Sequence, residues 1–188
     1  MEIEIAKYFL TMKDSCIFDV FKIITGKTYI IITVSVFVVY AIYRLKIRAI
    51  NFILAAIISI SVSDVICYRI LKPAIGRLRP NIELKHLDED KNNSKISYKY
   101  GKKDFSMPSN HASNIFAFFI VYFLYVRKYW IAVLLNSLLI AVSRVVLVKH
   151  YLSDVFIGIV TGILIGTFIV YLFYYAENYY KKRTGKII

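Results

Sequence analysis

The sequence predicts an all-α integral membrane protein: a bundle of about five transmembrane helices, with an N-terminal amphipathic helix at the interface. Of its 188 residues, 59% are hydrophobic, against roughly 45–50% in a typical soluble domain. The apolar residues form long continuous runs and do not alternate with polar ones, which favours helices over strands. The length predicts a single membrane-embedded domain over 1–188.

Five apolar runs approach or reach the roughly 20 residues that a helix needs to cross a bilayer. They are 28–43, 49–71, 112–126, 129–148 and 152–176. Tyr129 and Trp130, at the start of the fourth run, are residue types typical of the membrane–water interface. In the fifth run, Gly158, Gly162 and Gly166 form a stripe of small residues that permits close helix packing.

The remaining segments are more polar. Residues 3–24 mix apolar side chains with lysines, which predicts one amphipathic helix lying in the interface. Residues 72–108 are predicted to be a solvated connection, and 72–111 the active-site loop. The N-terminus lacks the basic start and cleavage site of a signal peptide. Cys16 and Cys67 are too few for a disulfide framework.

The net charge of +13 is compatible with nucleic acid or with an anionic membrane surface. The hydropathy favours the membrane, and no nucleic-acid partner is expected.

Polar side chains stand at the ends of the apolar runs, and the topology gathers them on one membrane face. Two runs, 49–71 and 129–148, end at that face, and two others, 112–126 and 152–176, begin there. The gathered side chains are those of Lys72, Arg77, Arg79, Ser109, His111, Arg144, His150 and Asp154.

These residue types are suited to binding a phosphate group and to catalysing a reaction at its phosphorus. Arginine forks match phosphate oxygens, lysine adds a point charge, and the N–H groups at a helix start favour an anion. His150 and Asp154 are four residues apart, so a helix would place them on one face. The carboxylate could then fix the imidazole tautomer, and His111 could protonate a leaving oxygen.

Simpler interpretations exist for each feature. Cations at helix ends often only extend towards the interface, and Pro-Ser-Asn-His can be a turn with an N-cap. His150, Asp154 and His111 could also be metal ligands, although the surrounding cations disfavour a bound metal. Asp64, eight residues before Lys72, could orient a site cation or pair within the bundle.

Three motifs resemble the signature of the type-2 phosphatidic acid phosphatases, membrane lipid phosphatases related to vanadium haloperoxidases. The first is a Lys, six residues and Arg-Pro, here Lys72, Arg79 and Pro80. The second is normally Pro-Ser-Gly-His, and here it is Pro-Ser-Asn-His at 108–111. The third is Ser-Arg, five residues, His, three residues and Asp, here at 143–154.

The resemblance implies a metal-independent phosphatase that uses no cofactor and works through a phosphohistidine. His150 would be the nucleophile, Asp154 would orient it, and His111 would act as general acid and then as base. The phosphoryl oxygens would be held by Lys72, Arg79, Ser109, Asn110 and Arg144.

Two departures from the family pattern stand out. Asn110 replaces the usual glycine, which we expect to affect substrate choice more than activity. The family core usually has six spans, and five are predicted here, so the amphipathic segment 3–24 would take the place of the first.

The site is predicted on the extracytoplasmic face of a bacterial inner (plasma) membrane. The opposite face carries short basic segments with almost no acids, whereas acidic residues accompany the lysines on the site face, and short basic loops are typically cytoplasmic. The basic segments contain Arg44, Lys46, Arg48, Arg127, Lys128 and the C-terminal KKRTGK.

The expected partners are the bilayer and a phosphorylated lipid, with the oligomeric state left open. The resemblance implies one of four substrates: undecaprenyl pyrophosphate, phosphatidylglycerol phosphate, phosphatidic acid or lipid A with its 1-phosphate. A basic segment at 85–103 slightly favours pyrophosphate or lipid A, unless it is only a solvated loop. The rival hypothesis is a transporter that binds phosphate or anionic lipid without turnover, but the runs 112–126 and 152–176 carry few polar residues for a pathway.

Overall fold

The computed structural model describes residues 1–91 and 100–184 and confirms the all-α class. Among these residues, β pairing is limited to one isolated bridge between Leu78 and Phe105. The helices are α1 (Glu2–Thr11), α2 (Cys16–Ile24), α3 (Lys27–Leu45), α4 (Ala49–Val65), α5 (Lys72–Ile75), α6 (Pro80–Lys91), α7 (Asn110–Tyr125), α8 (Trp130–Val146) and α9 (Leu152–Thr184).

The long helices have the character of membrane spans. In the described part of the chain, the stretches Lys27–Ile75 and Leu152–Arg183 are long and apolar enough to cross a bilayer, and Trp130–Val146 is a shorter apolar helix. Only 33% and 28% of the residues in the most apolar windows of these two stretches are buried, whereas the core helix of a soluble protein is mostly buried. Helix α9 has 33 residues, about 50 Å, so it extends beyond a hydrocarbon core of about 30 Å.

The prediction of a single helix over 3–24 is wrong, because the segment forms α1 and α2. Ser15 takes an extended backbone and its hydroxyl accepts a hydrogen bond from Phe18 N at 3.3 Å, so it caps a second helix. Both helices pack at the end of α8 that precedes α9. Ala6 of α1 lies in a cluster with Val148 and Tyr151, and Phe18 of α2 packs on Leu147.

The prediction of a solvated connection over 72–108 is also wrong in its first part, which contains α5 and α6. Pro80 is the first residue of α6, where its missing N–H costs no hydrogen bond. Between α4 and α5, Ile66–Leu71 form a π-helical turn, a feature found often at functional sites. The turn leads directly to Lys72, which is buried. Much of the basic segment 85–103 lies outside the described residues.

Helices α7 and α9 pack closely at the centre of the fold, along the predicted glycine stripe. A Cβ on Gly158 would lie 2.7 Å from the carbonyl oxygen of Ser109, and one on Gly162 would collide with the carbonyl of Ser113. Glycine is therefore needed for the backbones to approach. This contact brings the starts of α7 and α9 together.

Candidate active site

Backbone hydrogen bonds join the second and third motifs. Ser109 N donates to the carbonyl of Asp154 at 3.0 Å and so links the start of α7 to the first turn of α9. The carbonyl of Arg144 accepts from the backbone N–H groups of Lys149 and His150 at 3.1 and 3.2 Å. The turn between α8 and α9 is thereby fixed against the start of α7.

The first motif is held against the segment that precedes α7. Arg79 N donates to the carbonyl of Asp104 at 3.0 Å, and Ser106 N donates to the carbonyl of Arg77 at 2.7 Å. The ammonium of Lys72 donates to the carbonyl of Phe105 at 3.1 Å. The end of the α4–α5 stretch is therefore tied to the approach to α7.

His150 and Asp154 are buried side by side, with exposed fractions of 3% and 0%. His150 Nδ1 lies 3.8 Å from Asp154 Oδ2, which is an electrostatic contact longer than a hydrogen bond. The same carboxylate oxygen accepts from Tyr151 N at 2.8 Å. Asp154 is thus oriented by the backbone of the turn that carries His150.

The surroundings of His150 favour its neutral form. Burial is the largest effect that lowers the pKa of His150; the contact with Asp154 raises it, and the charges of Arg79, Arg144 and Lys72 lower it further. The net pKa lies below the ordinary 6.5, so the imidazole is uncharged at neutral pH. A neutral imidazole has a lone pair available for attack.

The other predicted histidine, His111, is the second residue of α7 and its side chain is exposed. It faces a groove of about 360 Å³. Arg144, His150, Arg79 and Lys72 all act on it electrostatically. The structure therefore brings both histidines and three cations of the three motifs to one place.

Four buried polar atoms of the motif residues have no hydrogen-bond partner among the described residues: Ser109 Oγ, Asn110 Oδ1, Arg144 Nε and His150 Nδ1. Ser109 holds the N-cap position of α7, yet its side chain makes no capping bond, so the simple N-cap interpretation is not what is observed. Buried polar groups are nearly always paired. Unpaired hydroxyl and guanidinium groups can donate hydrogen bonds to an anion.

Comparison with known proteins agrees with these motifs, because a model of the PAP2 superfamily matches residues 48–178. The chain belongs to the PAP2 superfamily. The resemblance to type-2 phosphatidic acid phosphatases is thereby confirmed.

Two individual proteins are informative. The chain is 30% identical over 134 residues to a lipid A 4'-phosphatase of Bacteroides thetaiotaomicron, covering 69% of this chain and 56% of that protein. It therefore spans little more than half the length of this relative. The fold matches the crystal structure of a transmembrane PAP2-type phosphatidylglycerolphosphate phosphatase from Bacillus subtilis with a TM-score of 0.60. That match covers 91% of this chain and 83% of the other at 17% identity, so it shows the fold alone.

Sequence reasoning grouped Arg77 of this PAP2 chain with the polar cluster but gave it no role, and it missed Glu2. Arg77 Nη1 lies 3.1 Å from Asp154 Oδ1 and donates to Ser153 Oγ at 2.6 Å. Arg77 Nη2 lies 2.8 Å from Glu2 Oε2 of α1, and Glu2 Oε1 accepts from Ser153 N at 2.9 Å. The guanidinium carbon of Arg77 also lies 3.9 Å from the centroid of the Tyr151 ring. The amphipathic N-terminal segment is thus joined to Asp154.

Asp64, whose role the sequence left open, and Asn110, which replaces the family glycine, contact each other. Asp64 Oδ1 accepts from Asn110 Nδ2 at 2.8 Å and from Asn114 Nδ2 at 3.1 Å. Of the two roles considered for Asp64, pairing within the bundle is the one observed. Asn110 turns its amide towards α4, and its backbone N–H remains at the start of α7.

Proposed function

We propose that this PAP2 protein hydrolyses the phosphate ester of a membrane lipid through a phosphohistidine on His150, without a metal ion. The observation that carries the proposal is the position of the His150 imidazole, which is buried 3.8 Å from Asp154. The charges of Arg79, Arg144 and Lys72 also act on this ring. Two similar proteins are named as phosphatases of lipid A and of phosphatidylglycerolphosphate, which supports a lipid phosphate as substrate.

In the first step, His150 attacks the phosphorus. Nδ1 faces Asp154, so Nε2 is the attacking nitrogen. The N–P bond forms as the P–O bond to the lipid breaks, and His111 donates a proton to the departing lipid oxygen. Asp154 stabilises the charge that develops on the imidazole ring.

In the second step, water replaces the histidine. His111, now unprotonated, accepts a proton from the water as its oxygen bonds to phosphorus and the N–P bond breaks. Inorganic phosphate leaves and His150 is neutral again. In both steps, positioned donors stabilise the charge on the phosphoryl oxygens. We assign this role to Lys72, Arg79, Arg144, the Ser109 hydroxyl and the Asn110 N–H.

The lipid would reach the site from the bilayer, with the site on the extracytoplasmic face of the inner membrane. His111 is exposed to a groove whose walls are otherwise mostly apolar, which supports lateral access of a lipid. The basic segments opposite the site support this orientation.

The test is phosphate release by the purified protein in detergent with a chelator present. The substrates are undecaprenyl pyrophosphate, phosphatidylglycerol phosphate, phosphatidic acid and lipid A. We expect release from at least one lipid and a loss of about 10³-fold or more in His150→Ala, as for removal of a nucleophile. The matched control is His86→Ala on α6, where the ring contacts Tyr100.

Release that needs a metal, or an undiminished His150→Ala variant, would contradict the mechanism. Lipid binding with no phosphate released from any substrate would support the transporter hypothesis instead.

A further inference from the structure

Asp64 is a carboxylate within a membrane-spanning stretch, Lys27–Ile75. Charged groups at this depth are costly and are normally paired with a cation or placed for function. In the described part of the chain, no Lys, Arg or His forms an ion pair with Asp64. Its side chain is also exposed, so the carboxylate lies in the spanning stretch without a cationic partner from the described residues.

Two amides hold this carboxylate in place without neutralising it. A carboxylate can only accept hydrogen bonds, so the NH₂ groups of Asn110 and Asn114 must face it, as they do through Oδ1. Oδ2 of Asp64 has no partner among the described residues. One oxygen is therefore fixed by α7, and the other is left as an oriented acceptor.

Asp64 lines the same groove as His111. The groove has a volume of about 360 Å³ and its apolar walls include Ile31, Ile60 and Ile140. When the phosphorus of a lipid lies beside the two histidines, the neighbouring part of the head group therefore lies in the same groove as Asp64. The phosphate itself is repelled by the carboxylate and attracted by Lys72, Arg79 and Arg144, which are not among the residues that line the groove.

We propose that Asp64 selects lipid phosphates whose head group carries a hydroxyl, amide N–H or ammonium donor beside the phosphate. This inference rests on the function proposed above and narrows its substrate class. A groove that holds an oriented acceptor favours a head group that donates to it over an analogue that lacks the donor, because only the first lipid pairs with Asp64 when it fills the groove. Phosphatidylglycerol phosphate and lipid A carry such donors, whereas phosphatidic acid and undecaprenyl pyrophosphate do not.

The experiment compares kcat/KM for phosphatidylglycerol phosphate and for its analogue that lacks only the head-group hydroxyl, with identical acyl chains in mixed micelles. For the unmodified protein we expect the hydroxyl to raise kcat/KM at least about tenfold. In Asp64→Asn we expect that ratio to approach one, through loss on the hydroxyl-bearing lipid. Asp19→Asn, an exposed carboxylate paired with Lys22 on α2, is the matched control and should keep the full ratio.

Equal rates for the two lipids in the unmodified protein would overturn the inference without any variant, and hydrolysis of both would leave the proposed function standing. The inference would also be overturned if the ratio persists in Asp64→Asn while both rates fall together. Asp64 would then serve only to position α7. If neither lipid nor any other in the panel releases phosphate, the proposed function itself fails.

Discussion

Arg77 is one of the six unspecified residues within the first motif, yet its guanidinium reaches the fully buried carboxylate of Asp154, with 3.1 Å between Nη1 and Oδ1. Its other terminal nitrogen contacts Glu2 of α1. A residue that the family pattern leaves unspecified thus shares Asp154 with His150. This relationship leads to the first two predictions.

Replacing Arg77 with Met should reduce activity and stability together. Asp154 would keep its hydrogen bond from Tyr151 N but lose its cation, and a lost charged hydrogen bond costs about 1.5–3 kcal/mol. We expect a drop in melting temperature in detergent and a fall in kcat of about tenfold or more, with KM changed less. Arg48→Met, an exposed arginine between α3 and α4, is the control; an equal effect of both substitutions would contradict the prediction.

The contact made by Glu2 should stabilise the fold in a pH-dependent way. Burial raises the pKa of Glu2, but hydrogen bonds from Arg77 and Ser153 outweigh burial, so the net pKa lies below the ordinary 4.5. The stabilisation is therefore present above pH 4.5 and is lost as the pH falls through the folded-state pKa. Glu2→Gln should be less stable than the unmodified protein at pH 7 by about 1 kcal/mol, and the difference should shrink below pH 4.5.

The measurement is thermal unfolding of both proteins in detergent across this pH range. Glu4→Gln on the same helix is the control, because Glu4 pairs with Lys7 while both are largely exposed, and such pairs contribute little. A destabilisation by Glu2→Gln that is independent of pH would contradict the prediction.

His150 should remain neutral at pH values where an ordinary histidine is half protonated. Its pKa lies below 6.5 because of burial and nearby cations, while Asp154 acts in the opposite direction. The chain has three histidines, so ¹⁵N NMR of histidine-labelled protein, with single substitutions for assignment, can follow each ring. We expect a neutral His150 signal at pH 6.5 and a further lowering of its pKa in Asp154→Asn; half protonation near 6.5 would contradict this.

The orientation in the membrane can be tested with a native cysteine. Cys16 is exposed and Cys67 is buried, and Cys16 begins α2, which packs near the site through Phe18 and Leu147. A membrane-impermeant maleimide added to intact spheroplasts should label Cys16 if the site is extracytoplasmic. A Cys16→Ser, Lys46→Cys protein should stay unlabelled until the membrane is opened; the reverse pattern would place the site in the cytoplasm.

The sequence was sufficient to predict the fold class and the convergence of the motifs, for a simple physical reason. Lys72, His111 and His150 stand at the ends of long apolar runs, and alternating spans must bring those ends to one face. Direct hydrogen bonds such as that between Ser109 N and Asp154 O connect the motifs in the structure.

What could not be predicted depends on contacts without a local pattern. Arg77 and Glu2 are separated by 75 residues, and no periodicity in the sequence relates them. The division of 3–24 into two helices is accompanied by a cap from the Ser15 hydroxyl, within a segment whose composition suits a continuous amphipathic helix. Helix α6 is largely polar, so hydropathy alone indicated a loop there.

The central claim, covalent catalysis by His150, is tested most directly by trapping the intermediate. The His111→Ala variant is mixed with a ³²P-labelled phosphate ester that has a good leaving group, so that attack does not depend on the general acid. The reaction is stopped in denaturant at alkaline pH. The account predicts protein-bound label that is stable in alkali, lost in acid and mapped by peptide analysis to His150, and absent when His150 is also replaced. Rapid phosphate release with no protein-bound label, or label on another residue, would contradict it.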